Sequence, residues 1–132
     1  MKLLATNGKT HSLHLGNQYK LKNEDACKSK IQYECGQLIQ NNFPTETVLE
    51  EVYIPFEALY LDFFLPRLKI VFEVQGQQHY NYSKFFHKTK KVFNDAKLRD
   101  FRKEKWCAIN GIKLYTIDSV EQLKEILGGN RE

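Results

Sequence analysis

The chain has 132 residues, which is the size of one domain and too few for two independent hydrophobic cores. Its 42% hydrophobic and 13% aromatic content is enough for a packed interior, which excludes an intrinsically disordered chain and a disulfide-dependent mini-protein. No apolar run approaches the roughly 18 residues of a membrane span, and the N-terminal segment turns polar too early for a secretory signal. The three cysteines form no CxxC pair that would indicate a zinc site. We therefore expect a cytoplasmic protein.

Positive charge is concentrated in one segment. The formal net charge is +4, but between Lys84 and Lys105 nine basic residues stand against three acidic ones, so this segment carries +6 and the rest of the chain −2. Aromatic residues are interleaved with the basic ones, which suits a phosphate backbone with rings available for base stacking. A solvated helix face would show the same charge. The residues expected at a nucleic-acid interface are Lys84, Lys88, Lys90, Lys91, Lys97, Arg99, Asp100 and Arg102.

The first third of the chain predicts an arm followed by a helix. Residues 1–22 show no sustained hydrophobic period, and we expect an arm or small hairpin there. A helix is predicted from Asn23, where acidic residues favour the positive end of the helix dipole, to Phe43, because Pro44 prevents its continuation. Glu34 falls within the apolar stripe of this helix, so a carboxylate is predicted on its inward side. The expected attachment points of the arm are Leu3, Leu13, Leu15 and Tyr19, and the stripe comprises Ile31, Cys35, Leu38 and Ile39.

A strand pattern and a second helix follow. Segments 47–54, 58–65 and 68–75 are rich in aliphatic and aromatic residues and are separated by short turns that contain proline, which is typical of an antiparallel meander. The polar, aromatic and basic connection 77–90 is long for a compact domain, which favours a functional role. The second helix is predicted over residues 91–109 and is stopped by Asn110-Gly111. One side of this helix carries Phe93, Ala96, Asp100, Lys103 and Cys107.

The chain closes with a strand and a helix. Residues 111–117 predict a fourth strand, which is expected to be parallel to an earlier one because a helix leads to it. Ser119 and Gln122 form a capping box for a last helix that ends at Gly128-Gly129. The predicted fold class is α/β, with a small mixed four-stranded sheet flanked by helices. Residues 1–22 form the arm and residues 23–132 the main domain.

Two strands carry acidic residues where packing would favour apolar ones. Strand alternation places Asp62 on one face with Tyr60 and Phe64, and the leucines and Phe63 on the other. Glu73 shares a face with Gln75, and the tight turn at Pro66-Arg67 lays the two strands side by side. Two neighbouring carboxylates repel unless a cation lies between them. Mg²⁺ prefers such oxygen ligands, which indicates a metal site able to act on phosphate esters.

At these residues the chain resembles a known family. Asp62-x₁₀-Glu73-x-Gln75 resembles the signature of the PD-(D/E)xK nucleases, with Gln75 where most members have lysine. The wider pattern resembles the branch related to very-short-patch-repair endonucleases, which includes phage-encoded and homing-type enzymes. The likeness covers about residues 24–118 and includes Gly76-Gln-Gln-His79 and Asp100-x-x-Lys103. It implies a three-layer α/β/α core of the restriction-endonuclease type, in the host cytoplasm if the protein is phage-encoded.

The resemblance also implies a role for each site residue. Asp62 and Glu73 would bind Mg²⁺, or Mn²⁺ in its place, with help from the carbonyl of Val74. Glu34 matches an additional acid beside the metal, and His79 matches a histidine that acts as a general acid or contacts the scissile phosphate. Lys103 could supply the cation that Gln75 lacks. Each residue also has a structural interpretation: Asp62 paired with a lysine such as Lys69, Glu34 at the helix boundary, a structural His79, and a solvated Lys103.

The sequence therefore predicts a Mg²⁺-dependent endonuclease that hydrolyses phosphodiester bonds in duplex, nicked or branched DNA, with the attacking water held near Gln75. A catalytically inactive nucleic-acid-binding descendant is the alternative, because the motif lysine is missing. An unrelated α/β binding module and an RNA substrate stay open. One site of this size cuts one strand, so a double-strand break would need a homodimer or two sequential cuts.

Overall fold

A mixed four-stranded sheet organises the fold. The structure is a computed structural model that describes residues 1–75 and 86–129, with side chains described for residues 1–75 and 94–128. The sheet order is β3-β4-β5-β6; its first three strands are antiparallel and β6 is parallel to β5. The predicted meander and parallel return strand are confirmed. The elements are β1 (Lys2–Leu4), β2 (Thr10–Ser12), α1 (Lys30–Asn42), β3 (Leu49–Ile54), β4 (Leu59–Leu65), β5 (Ile70–Val74), α2 (Phe86–Ile109), β6 (Lys113–Ile117) and α3 (Val120–Gly129).

Helices cover both faces of this sheet. On one face the C-terminal part of α2 contributes Trp106 and Cys107 to a buried cluster with β3, β4 and β5. On the other face α1 and α3 pack against Phe63 and Phe72 of the sheet. The predicted α/β class with a small mixed sheet and flanking helices is therefore confirmed. Within the described ranges, none of the helices combines the length and apolar character needed to cross a bilayer.

Strand β4 reverses its faces at Asp62. Leu59 and Leu61 belong to the cluster under α2, whereas Phe63 belongs to the cluster under α1 and α3, and Phe64 returns to the α2 side. The predicted simple alternation along this strand is wrong. The pairing of β3 with β4 is interrupted opposite Asp62, where Glu51 adopts a positive φ of 52°. Residues Leu61 to Leu65 of β4 are all buried, and Asp62 lies at the point where the faces change.

Helix α1 begins later than predicted, and α2 begins earlier. The predicted start at Asn23 is wrong, because the Asn23 side chain and carbonyl accept the N–H of Ala26, both at 3.1 Å, and close a single turn. The helix begins at Lys30, where the N-cap Ser29 accepts the Gln32 N–H through its side chain at 3.0 Å. The predicted stripe is wrong at its first residue, since Ile31 is 40% exposed and the buried residues are Gln32, Cys35, Gly36 and Ile39. Helix α2 starts at Phe86 rather than at residue 91.

We expect Ser29→Ala to lower the free energy of unfolding by about 1 kcal/mol, because the Gln32 N–H loses its side-chain acceptor at the start of α1. Ser29→Asp keeps an acceptor at the same place and should stay within a few tenths of a kcal/mol of the parent. Urea unfolding monitored by circular dichroism measures both variants. Equal stability of the alanine and aspartate variants would contradict the stabilising role of Ser29 as the N-cap of α1.

The N-terminal arm is a docked hairpin. Strands β1 and β2 pair antiparallel, and Leu3 and Leu13 are buried in the same cluster as Trp106. The indole Nε1 of Trp106 donates to the Leu4 carbonyl at 2.7 Å, and the Asn110 side chain accepts the Leu4 N–H at 2.7 Å. The predicted attachment points of the arm are confirmed, since Leu15 and Tyr19 also pack on this cluster.

Candidate active site

Strands β4 and β5 separate at the two predicted carboxylates. Their ladder ends at the pair Phe63↔Phe72, so Asp62 and Glu73 would form the next pair. Strand β5 instead stays with β6, through Glu73↔Thr116 and a hydrogen bond of 2.8 Å from the Gln75 N–H to the Ile117 carbonyl. A cleft therefore opens in the sheet at the position of the two acids.

The two carboxylates bridge this gap by binding the backbone of the opposite strand. Glu73 Oε2 accepts the Asp62 N–H at 2.7 Å, and Asp62 Oδ2 accepts the Val74 N–H at 2.9 Å. Both acids are buried, with 8% exposure for Asp62 and 9% for Glu73. Because side chains replace ladder hydrogen bonds here, the two acids are held close together, as the sequence predicts.

Each carboxylate also pairs with a lysine. Lys103 of α2 forms an ion pair with Glu73 Oε1, and Lys28, which precedes α1, places its Nζ 3.1 Å from Asp62 Oδ1. The side chain of Lys103 is 13% exposed and that of Lys28 is 55% exposed. All four carboxylate oxygens therefore have a donor, two from the backbone and two from ammonium groups.

The surroundings make Glu73 easy to protonate. Burial raises the pKa of Glu73 to about 7, the negative charge of Asp62 adds to this, and Lys103 and the Asp62 N–H oppose it. Glu73 therefore changes charge near neutral pH. Burial is the largest single influence on Lys28 and by itself would lower its pKa, but the charge and hydrogen bond of Asp62, together with the charges of Glu51 and Glu73, raise the pKa overall.

Two adjoining cavities give solvent access to the acids. The larger, of about 290 Å³, lies between β4 and α2; Asp62, Glu73, Arg99 and Lys103 line it. The smaller, of about 240 Å³, shares Glu73 and Lys103 and extends to Thr116 of β6. A ligand in either cavity would contact both acidic and basic groups.

Gln75 lies at the wall shared by both cavities. Its Nε2 donates to Asp100 Oδ2 of α2 at 3.4 Å. The predicted inward side of α2 is confirmed for Ala96, Asp100, Lys103 and Cys107, the first three lining the larger cavity. The side chain of Phe93, predicted on the same side, lies outside the described residues. The structure thus brings Gln75, Asp100 and Lys103 together with Glu73.

Glu34 is not brought into this group. It is half-buried on α1 and lines neither cavity. Among the described residues its side chain has no hydrogen-bond or ion-pair partner. Its role as an additional metal ligand stays a prediction.

The predicted nucleic-acid contacts fall partly within the described residues. Arg99 is exposed and lines the larger cavity, and Arg102 is exposed and donates through Nη2 to the Glu57 carbonyl at 2.5 Å. Lys97 is exposed, and Asp100 is half-buried. His79 and Lys84 lie outside the described residues, as do the side chains of Lys88, Lys90 and Lys91.

Sequence reasoning missed Lys28 and Glu50. Asp62 pairs with Lys28 rather than with the suggested Lys69. The available signal was the Ser29-x-x-Gln32 pattern, whose serine caps α1 and places Lys28 just before the helix. Glu50 is 2% exposed and anchors the segment before α1, because it accepts the Lys22 N–H at 2.9 Å and Gln32 Nε2 at 3.3 Å. The adjacent acids Glu50-Glu51 suggest exposure, so no local signal indicated this burial.

The donor set of the cleft suits a hard divalent cation. The described residues contain no cluster of three or more His, Cys, Asp or Glu side chains placed to hold a metal. Mg²⁺ needs fewer protein side chains than this, since it is commonly held by one or two carboxylates, substrate phosphates and water. Val74 directs its N–H towards Asp62. In an extended residue the carbonyl points to the same side as the N–H, so the Val74 carbonyl also faces the cleft, which suits its predicted role as the third ligand. Asp62, Glu73 and Val74 therefore fit Mg²⁺, provided that Lys28 leaves Asp62 Oδ1 and Lys103 leaves Glu73 Oε1.

The chain matches two curated proteins of viruses over part of its length. It is 35% identical over 66 residues to uncharacterized protein 307L of Invertebrate iridescent virus 6, covering 47% of this chain and 34% of that protein. It is 32% identical over 68 residues to uncharacterized protein 033L of Invertebrate iridescent virus 3, covering 52% of this chain and 35% of that protein. The chain thus spans about a third of the length of these relatives. No family model and no solved structure matches the chain.

Proposed function

We propose that this protein is a Mg²⁺-dependent endonuclease that hydrolyses phosphodiester bonds in DNA. The observation that carries the proposal is the pair of buried carboxylates, Asp62 and Glu73, held at a split in the sheet beside Lys103. Buried acids in contact are costly for folding, and perturbed carboxyl groups in a cleft are typical of functional sites. We further propose that the sheet and helices form a core of the restriction-endonuclease type.

In this proposal each side chain of the cleft has a defined task. Asp62, Glu73 and the Val74 carbonyl hold the ion, which when bound supplies Lewis-acid stabilisation of the phosphate and a more acidic water. Glu73 must be ionised to bind the ion. Gln75 orients the attacking water through its amide, while Lys103 offsets negative charge that develops on the phosphate. Arg99, in the cavity wall, binds the DNA backbone.

A plasmid assay tests this function. Supercoiled DNA is incubated with the protein and Mg²⁺, Mn²⁺ or EDTA, and the open-circular product is measured on a gel. We expect nicking with either metal and none with EDTA, and weaker binding as salt increases because basic residues contact phosphates. Labelled RNA of the same length as a DNA substrate distinguishes the two polymers. Nicking that EDTA does not suppress would contradict the proposal.

An inactive DNA-binding protein is the second candidate. Two observations favour it: Gln75 stands where lysine is usual, and the two lysines already neutralise the acids. Tight binding of plasmid without nicking at any metal concentration would support this candidate. The three free cysteines suit a reducing cytoplasm in either case, and a homodimer would be required only for concerted cleavage of both strands.

A further inference from the structure

The two lysines of the cleft are held differently. Lys103 extends from the C-terminal half of α2 into the protein and has a side chain only 13% exposed. Lys28 comes from the segment before α1, and its side chain is 55% exposed although its Nζ lies 3.1 Å from Asp62 Oδ1. An exposed ion pair contributes little free energy and exchanges readily. Lys28 is therefore the more easily displaced of the two.

Asp62 Oδ1 cannot serve Lys28 and a divalent cation at the same time. Mg²⁺ binds carboxylate oxygen at about 2.1 Å, and an ammonium group on the same oxygen would lie against the like charge of the ion. The other oxygen of Asp62 is already occupied by the Val74 N–H at 2.9 Å. A cation bound to Asp62 thus requires Lys28 to leave Oδ1.

A displaced Lys28 would stay at the mouth of the cleft. The N-cap at Ser29 fixes the backbone that follows Lys28, and Glu50 fixes the segment before it through the Lys22 N–H. Lys28 also lines the larger cavity, whose wall on α2 carries Arg99. The freed ammonium group would therefore face whatever anion enters this cavity.

Charge balance indicates what that anion is. With both acids ionised and no metal bound, the charges of the two acids and two lysines sum to zero. A divalent cation changes this sum to +2 while both lysines stay, which favours a phosphate group of the substrate over a neutral ligand.

We propose that Lys28 is an exchangeable cation of the site: it neutralises Asp62 in the metal-free protein, yields Oδ1 to the divalent ion, and then contacts the DNA phosphate. The inference rests on the proposed function, because it takes the metal and the nucleic acid from it. It adds a phosphate-contacting residue from outside the motif and outside the basic segment.

The substitution Lys28→Met tests this inference, because it should raise the affinity for metal and lower the affinity for DNA. Lys28→Met should bind Mn²⁺ more tightly than the parent in the absence of DNA, by about two- to fivefold, since no ammonium group competes for Oδ1. Titration of Mn²⁺ followed by electron paramagnetic resonance measures the free ion. Lys30→Met is the matched control, because Lys30 is exposed at the start of α1 and has no ion-pair partner among the described residues. Lys28→Arg keeps the charge and should stay within about twofold of the parent.

Binding of a short fluorescent DNA duplex gives the second readout. With Ca²⁺ present, and a gel to verify that the duplex is uncut, Lys28→Met should bind about two- to fivefold more weakly than Lys30→Met. With EDTA the two variants should bind alike, because Lys28 is then occupied by Asp62. A merely structural role for Lys28 would change metal and DNA affinity in the same direction.

The outcomes separate this inference from the proposed function. Unchanged Mn²⁺ affinity in Lys28→Met, with normal plasmid nicking by the parent, overturns the role of Lys28 and leaves the nuclease standing. Tighter Mn²⁺ binding by the variant with no nicking by the parent supports the exchange and overturns the nuclease. Failure of every variant to bind Mn²⁺ at millimolar concentration overturns both.

Discussion

Asp62→Asn is expected to lower Mg²⁺-dependent nicking by about 10²- to 10³-fold while leaving the fold intact. Asparagine keeps an oxygen for the Val74 N–H, which Asp62 Oδ2 now accepts at 2.9 Å, but it removes one of the two negative charges proposed to hold the ion. Loss of several kcal/mol of transition-state stabilisation corresponds to this range, since each 1.36 kcal/mol is tenfold in rate. Initial rates of plasmid nicking, with circular dichroism to verify folding, measure the effect.

Two further variants show whether the effect is due to charge at this position. Asp62→Ala also removes the acceptor of the Val74 N–H, so it should lose the same activity and in addition about 1 kcal/mol of stability. Asp25→Asn removes an exposed acid in the turn before α1 and should nick at the parental rate. Parental activity in Asp62→Asn would refute the proposed metal ligand.

Lys103→Met should destabilise the metal-free protein by about 2–4 kcal/mol at pH 8.5 and by less than half of that at pH 6. Removing one partner of a buried ion pair leaves the other charge unpaired. Glu73 has a folded-state pKa of about 7, so at pH 6 it is mostly protonated and Lys103 has little charge to neutralise. At pH 8.5 Glu73 is ionised in the parent, and the variant loses the full attraction. Urea unfolding at the two pH values measures the difference.

The sign of this pH dependence follows from linkage. A carboxyl group whose pKa is raised by folding stabilises the folded state below its unfolded-state pKa, and this contribution disappears as pH rises through the folded value. For the parent, the decline of this contribution to the free energy of unfolding ends near pH 7. Without Lys103, which lowers the pKa of Glu73, the decline continues to higher pH, so the two stability curves diverge above pH 7.

The control variants locate the effect at the ion pair. Lys105→Met removes an exposed lysine two residues away on α2 and should change stability by less than about 0.5 kcal/mol at either pH. Glu73→Gln combined with Lys103→Met leaves no unpaired charge and should recover part of the loss at pH 8.5. An equal loss at both pH values would contradict the coupling of Lys103 to Glu73.

The sequence predicted those parts of the site that depend on local pattern. The short turn at Pro66-Arg67 fixes the pairing of β4 with β5, which is why Asp62 and Glu73 could be placed side by side. Helical spacing in the same way predicted that Asp100 and Lys103 share the inward side of α2. These placements needed only the length of one turn and the helical spacing of three to four residues.

What the sequence did not predict depends on contacts between distant residues. Lys28 meets Asp62 across 34 positions of the chain, and that meeting depends on how Glu50 anchors the segment before α1. The face reversal in β4 lies opposite the positive φ of Glu51 in the neighbouring strand. The local sequence indicates neither the Lys28–Asp62 contact nor the face reversal. A simple alternation along β4 and a helix start at Asn23 were therefore the natural interpretations, and both are wrong.

The docking of the β1–β2 hairpin has a consequence for how the protein is made. Leu4 reaches its partner Trp106 across 102 positions, so β1 and β2 leave the ribosome long before the helix that completes their binding surface. Until then the apolar side chains of Leu3 and Leu13 stay open to chaperones or to other nascent chains. Fragments that end before α2 should therefore accumulate as aggregates, although their hairpin residues are unchanged.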